Sequence, residues 1–430
     1  MKQYILSWVI LGFFLTGCKT KPQHHQHHSD HKAGVVEENA KERIDSLFKK
    51  LVADRNVGGI SALIYEKDKE VYYNAFGAQN EEKKIPMSRQ TIVQIWSMTK
   101  PLTGTALMTL YEKGLFNLDD PLTKYFQDFR DMKVFVGMDA SGQPIFEPAK
   151  RQITIRDITR HTAGFANNGS KEYVGPLYRE ANLLDRNSNL QEMMKKLAKL
   201  PLIFHPGEEW SYGVCVDVQA ALVEKLSGKP FYEYLKSAVL DPLEMKDTRY
   251  YVPAWDQDGL SAVYFRAGEG NLTQRPDSQA IAYNTFPYPM TPGGYGLTST
   301  LDDYMNFARM MVHGGELNGK RILKESTVKL MSTNQLDESV TKRMWLPDRG
   351  QVGFGIDFAV RLKPPVSAEE NNGVVGEFFW DGAASTLFWV DPVNQLTAVM
   401  MVQLFPYDQI KLHNKFRDAV YGEYVPGEQK

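Results

Sequence analysis

Apolar and polar positions divide the chain into two strand-rich ends around a long helix-like middle. From about Val36 to Val52 apolar residues recur at helical spacing, which predicts an amphipathic helix. Two alternating runs follow, Ser61 to Tyr65 and Val71 to Ala75, separated by charged residues that suit a hairpin turn. The far end mirrors this arrangement, with strands expected near Gly376 to Phe379, Thr386 to Val390 and Leu396 to Gln403, then an amphipathic stretch from Tyr407 to about Tyr421. Strand-rich ends around a long middle predict a mixed α/β (α+β) fold, with one sheet built from both ends of the chain and flanked by helices. The middle, about 101–291, reads as a mostly helical lobe broken by proline and glycine.

The first residues break this pattern. Lys2 precedes an apolar run from Tyr4 to Leu15 that is too short to span a bilayer as a stable helix, and Leu15-Thr16-Gly17-Cys18 follows. The ending resembles a bacterial lipobox, which implies a signal peptide over residues 1–17, cleavage before Cys18 and lipid attachment to that cysteine. Acyl chains on Cys18 would tether the protein to a membrane of the cell envelope. Lys19, where aspartate is absent, resembles the pattern of lipoproteins sent to the outer membrane in Gram-negative cells. Residues 18–35 are polar and hold five of the nine histidines, too few apolar groups for a core, so they read as a tether. The histidines lack accompanying cysteines or regular carboxylate spacing, and no metal site is assigned to them.

Residues 36–425 then form the globular domain. Composition changes little in this picture. With 43% hydrophobic and 12% aromatic residues the chain fills a large core, and with Cys18 lipidated Cys215 has no partner for a disulfide. A formal charge of −2 and the lack of a basic stripe exclude an electrostatic case for nucleic acid. Nothing in the sequence sets the oligomeric state.

Candidate chemistry begins with Ser97 and Lys100. An amine one helical turn from a hydroxyl can take its proton and make a serine nucleophile without a histidine. The spacing S-x-x-K occurs five times, at Ser29, Ser46, Ser97, Ser326 and Ser339. Ser97 alone follows an apolar strand-like run, Ile92 to Trp96, and precedes a helix pattern with Leu102, Ala106 and Leu110 four residues apart. That context puts its hydroxyl at a buried helix N-terminus, where the helix dipole favours developing negative charge; a capping serine is the plainer alternative. A nucleophile also needs a proton route and an oxyanion clamp. Tyr212 lies on a loop after His205-Pro206-Gly207 and before the helix pattern Val218, Leu222, Leu226, and Trp380-Asp381-Gly382-Ala383 lies in a late aromatic strand region.

These residues, with Asp157-Ile158-Thr159-Arg160-His161-Thr162-Ala163-Gly164, Gly293-Gly294-Tyr295-Gly296 and Asp241-Pro242-Leu243, resemble the serine hydrolases that include class C β-lactamases, related D-Ala-D-Ala carboxypeptidases and β-lactamase-like esterases, over about Glu42 to Pro406. The resemblance implies Ser97 as nucleophile, Lys100 or Tyr212 as base, Tyr212 as proton donor to the leaving group, and the N–H groups of Ser97 and Ala383 as the oxyanion hole. It implies no metal or organic cofactor. Lysine and tyrosine ordinarily titrate near pH 10, so burial and proximity must hold one of them deprotonated.

Two departures bear on the substrate, a small-molecule ester or amide. Trp380-Asp381-Gly382 stands where the β-lactamase pattern has Lys-Thr-Gly, which replaces a carboxylate-binding cation with an aromatic wall and, if ionised, a repelling acid. Val214 stands where the pattern has asparagine and cannot hydrogen-bond a substrate amide. Both resemble the esterase branch. An amidase, D-peptidase or weak β-lactamase is the second reading, and a non-catalytic envelope binder the third. His161 is expected to satisfy backbone groups of its loop rather than act in catalysis. Gly293, Gly294 and Gly296 are expected to shape a turn, since no Gly-Lys-Ser/Thr follows them.

Overall fold

Eight antiparallel strands make the central sheet of the computed structural model, which describes Met1, residues 34–167, Ser170, residues 173–268 and residues 271–426. Cys18 and the histidine cluster lie outside the described residues. The strands are β1 (Gly59–Glu66), β2 (Lys69–Asn80), β3 (Ile85–Pro86), β4 (Val352–Phe354), β5 (Ala359–Arg361), β6 (Phe378–Asp381), β7 (Leu387–Asp391) and β8 (Leu396–Val402). Their order across the sheet is β4-β5-β6-β7-β8-β1-β2-β3, so the two chain ends meet where Ser61 of β1 pairs with Met401 of β8.

Helices cover both faces, as the side-chain alternation of β7 demonstrates. Phe388 packs on Tyr304 and Phe307 of α4 (Leu301–Val312), whereas its neighbour Trp389 packs on Phe416 of α5 (Leu412–Tyr421). Adjacent strand residues point to opposite faces, so the two helices lie on opposite sides of the sheet. Phe48 of α1 (Glu38–Ala53) joins Phe416 on the second face. Because both faces are covered, β7 and β8 are buried throughout and read in sequence as apolar runs without alternation.

The run Ile92 to Trp96, expected as a strand, is only partly one. Val93–Gln94 pairs with Thr298–Ser299, and Trp96 then takes a left-handed φ of 48° and starts a 3-10 turn, Trp96–Met98. A non-glycine residue in that region is strained and needs its surroundings to hold it. Here the Ile95 N–H donates to Leu297 O (3.0 Å) and Tyr304 Oη donates to Met98 O (2.7 Å). The turn feeds α2 (Thr99–Glu112), which is buried from Thr99 to Leu110 and is therefore a core helix rather than an amphipathic one. It packs on α3 (Cys215–Ser227), which ends on the left-handed Gly228. The middle of the chain also contains a hairpin, Lys133–Met138 with Pro144–Pro148, where mostly helix was expected. Its turn carries the local signal, since Asp139 Oδ1 accepts from the N–H groups of Ser141 and Gln143 ahead of a left-handed Gly142.

Candidate active site

Lys100, in the first turn of α2, aims its amine at two oxygens. Nζ donates to Ser97 Oγ at 3.1 Å and to Gly294 O at 2.6 Å, and the side chain is buried while Ser97 is half-buried. Tyr212 completes the cluster from the loop ahead of α3: Lys100 Nζ stands 4.5 Å from its ring centroid, and Trp380 Nε1 donates to its hydroxyl at 3.3 Å. Structure thus brings Tyr212 to Ser97 and Lys100, from which more than a hundred residues separate it in sequence.

Two glycines permit the approach. At Gly382 a Cβ would lie 2.6 Å from Ile95 O, so only glycine lets the end of β6 press on the chain just before the nucleophile. This contact puts Ala383 on the same cavity as Ser97, and its N–H has no protein acceptor among the described residues. At Gly293 a Cβ would overlap the Val216 carbonyl at the start of α3, while Gly293 O accepts from Thr103 Oγ1 at 2.7 Å. The 293–294 segment is therefore a close-packed strap that presents the Gly294 carbonyl to Lys100, more than the turn expected from sequence. Only Gly296 of the three has a left-handed φ.

A cavity of about 610 Å³ opens over the cluster, lined by Ser97, Tyr212, Trp345, Arg349, Trp380 and Ala383 among others. Its size suits a small organic substrate. Asp381 also lines it but is 5% exposed and ion-paired with Arg349, so its charge is not free to repel an anion as the sequence suggested.

His161 departs from expectation more sharply. Its ring is fully buried, and neither ring nitrogen has a hydrogen-bond partner among the described residues. The ring packs instead among Tyr212, Phe354 and Trp210, with centroids 4.9, 5.4 and 5.8 Å away. Burial first, and then the Lys100 charge, push its pKa well below the ordinary value, so it is a neutral wall behind Tyr212.

Sequence reasoning missed two acids near the amine. Asp217 Oδ1 accepts the Gly294 N–H at 2.9 Å, behind the carbonyl that holds Lys100. Burial pushes its pKa up to about 6, against the pull of Lys100. Asp357 is buried beside Gln219, whose Nε2 donates to it at 3.0 Å, and burial holds its carboxyl well above the usual range. The available signal for Asp217 was a carboxylate within the otherwise apolar run Val214 to Val218. Asp357 and Arg349 carry no comparable motif.

A family model described as Beta-lactamase matches residues 44–422 of the chain. A protein of Mycobacterium tuberculosis is 33% identical over 355 residues, covering 81% of this chain and 86% of that protein. Esterase EstB of Burkholderia gladioli is 27% identical over 283 residues, covering 61% of this chain and 68% of EstB. Among solved structures, EstCE1, described as a hydrolase with promiscuous acyltransferase activity, superposes with a TM-score of 0.75 at 23% identity, covering 89% of this chain and 99% of EstCE1. The fold is thus β-lactamase/transpeptidase-like, a large antiparallel sheet flanked by helices.

Proposed function

The chain belongs to the beta-lactamase family, whose fold serves serine hydrolases, and from that premise we propose that it cleaves carboxylic esters through an acyl-enzyme on Ser97. The observation that carries the proposal is the 3.1 Å bond from Lys100 Nζ to the Oγ of Ser97, a residue that lines the cavity. In this reading Ser97 Oγ attacks the ester carbonyl as its proton passes to Lys100 or Tyr212. The carbonyl oxygen gathers negative charge between the N–H groups of Ser97 and Ala383, where losing one donor typically costs about 3 kcal/mol of transition-state stabilisation. Tyr212 then returns a proton to the departing alcohol, and Trp380 Nε1–H remains donated to the tyrosine oxygen while charge develops there. Water releases the acyl group from Ser97.

Ester rather than amide or β-lactam chemistry is supported by Val214, which has no group to bind an amide, and by the absence of a lysine at Trp380. In the same reading a lipidated Cys18 holds the enzyme on the cell envelope, supported by Leu15-Thr16-Gly17-Cys18 and the polar tether after it. The test is a panel of short-chain esters, a cephalosporin and a D-Ala-D-Ala peptide, each followed to kcat/KM. Turnover of the esters well above the others is expected. Rapid hydrolysis of the cephalosporin or the peptide without ester turnover would select the amidase or β-lactamase reading instead.

A further inference from the structure

Arg349 ends the 3-10 turn Leu346–Arg349 and enters the wall of the Ser97 cavity from a segment remote from the motifs. Its guanidinium lies over the rings of Trp345, Tyr407 and Trp380, at 4.9, 5.1 and 5.3 Å from their centroids. It is ion-paired with Asp381 Oδ2 and donates to Tyr407 Oη, and that hydroxyl donates to Asp381 Oδ2 at 2.8 Å. The three groups form a closed ring. With side-chain exposures of 10% and 5%, Arg349 and Asp381 attract each other with little screening from salt.

Neighbouring groups leave this balance intact. His413 Nδ1 is 3.9 Å from Asp381, and burial holds its pKa below the ordinary value, so it is neutral. Burial pushes Tyr407 up to about 12, so it too is uncharged near neutral pH. Further along the lining, Glu369 pairs with Lys411, and Asp348 and Asp408 add negative charge that any anionic ligand also meets. The late-strand cation of the β-lactamase pattern has therefore not simply vanished. A cation stands beside the same strand, and a carboxylate of the protein already occupies it.

We infer that Asp381 masks Arg349, so that the Arg349–Asp381 pair is the specificity determinant by which this site admits uncharged esters and turns away esters bearing a carboxylate. The inference rests on the ester-hydrolase reading. A substrate carboxylate must displace Asp381 from Arg349 and leave a buried anion unpaired, whereas an uncharged group displaces nothing. Without the carboxylate at 381, the guanidinium presents its planar fork to the cavity.

The test compares kcat/KM for matched esters presenting the charge on either side of the scissile bond: p-nitrophenyl butyrate with mono-p-nitrophenyl adipate, and phenyl butyrate with 3-carboxyphenyl butyrate. In Asp381→Asn the ratio of carboxylate to uncharged ester is expected to rise about tenfold or more in at least one pair, the size of one charged hydrogen bond gained. The gain should disappear in the double variant Asp381→Asn/Arg349→Gln. Arg349→Gln alone leaves Asp381 unpaired and is expected to lower that ratio and to raise turnover of butyrylcholine relative to phenyl butyrate. A ratio unchanged in Asp381→Asn for both pairs, or a gain that survives in the double variant, overturns the inference. Should Asp381→Asn not fold, an Arg349→Gln protein with unaltered preference among these esters overturns it equally. Wild-type turnover of the uncharged esters reports separately on the ester reading. If it is absent, the same ratios are read from rates of Ser97 labelling by phosphonates with and without a carboxylate.

Discussion

Replacing Ser97 with alanine is expected to lower kcat/KM for a short-chain ester by on the order of 10⁴-fold or more, because it removes the only atom that bonds to the substrate in the proposed mechanism. The loss should be chemical rather than structural. The turn that carries Ser97 is held through backbone groups, by Ile95 on Leu297 and by Tyr304 on Met98, and none of these bonds uses the serine hydroxyl. Lys100 keeps its bond to Gly294 O, and Tyr212 keeps its packing against Trp345 and Trp380. Steady-state rates with the variant, alongside an unchanged thermal melt, check this. Ester turnover that persists in Ser97→Ala at wild-type levels would exclude the serine as nucleophile.

Glu377→Gln is expected to be the most damaging near-isosteric change to stability, lowering it by about 3–5 kcal/mol, the range for breaking a buried ion pair from one side. Glu377 lies between two guanidinium groups, all three side chains being fully buried. Its Oε1 accepts from Arg361 Nε at 2.8 Å, and Arg417 Nη1 donates to Oε1 and Oε2 at 2.9 and 3.0 Å. Arg417 is also sandwiched by Phe379 and Trp389, at 4.7 and 4.6 Å. The triad therefore ties β5 and α5 to the start of β6, the strand that delivers Trp380 and Ala383 to the cavity. Glutamine keeps the shape but leaves two cations buried without an anion. Urea unfolding compared with Glu192→Gln, which breaks an exposed pair with Lys195, measures the effect. A midpoint shift no larger than that of the exposed control would contradict it.

Much of this architecture was legible in the sequence where local pattern and tertiary role agree. The helix near Val36, the hairpin after it and the three late strands were marked by spacing or by unbroken apolar runs, and α1, β1, β2, β6, β7 and β8 stand there. β4 and β5 were not legible. Each is three residues long, the first has a glycine at its centre, and Arg361 in the second is buried against Glu377, which directly precedes the neighbouring strand. Strands that short exist through their pairing, not through propensity. At the site, Ser97, Lys100 and Tyr212 could be nominated because each sits at a recognisable turn or helix start. The roles of Arg349 and Asp217 could not, since they arise from contacts across the fold: Arg349 acquires meaning from Asp381, and Asp217 from Gly294. His161 was misread for a related reason, because its partners are aromatic rings contributed by other segments rather than its own loop.

Covalent capture at Ser97 tests the proposed chemistry most directly. The wild-type protein is exposed to a serine-reactive phosphonate, its intact mass is recorded, and the modified peptide is sequenced. A single adduct on Ser97, missing from Ser97→Ala, is the expected result; a protein that stays unmodified, or one labelled on a different serine, would contradict an acyl-enzyme at this position.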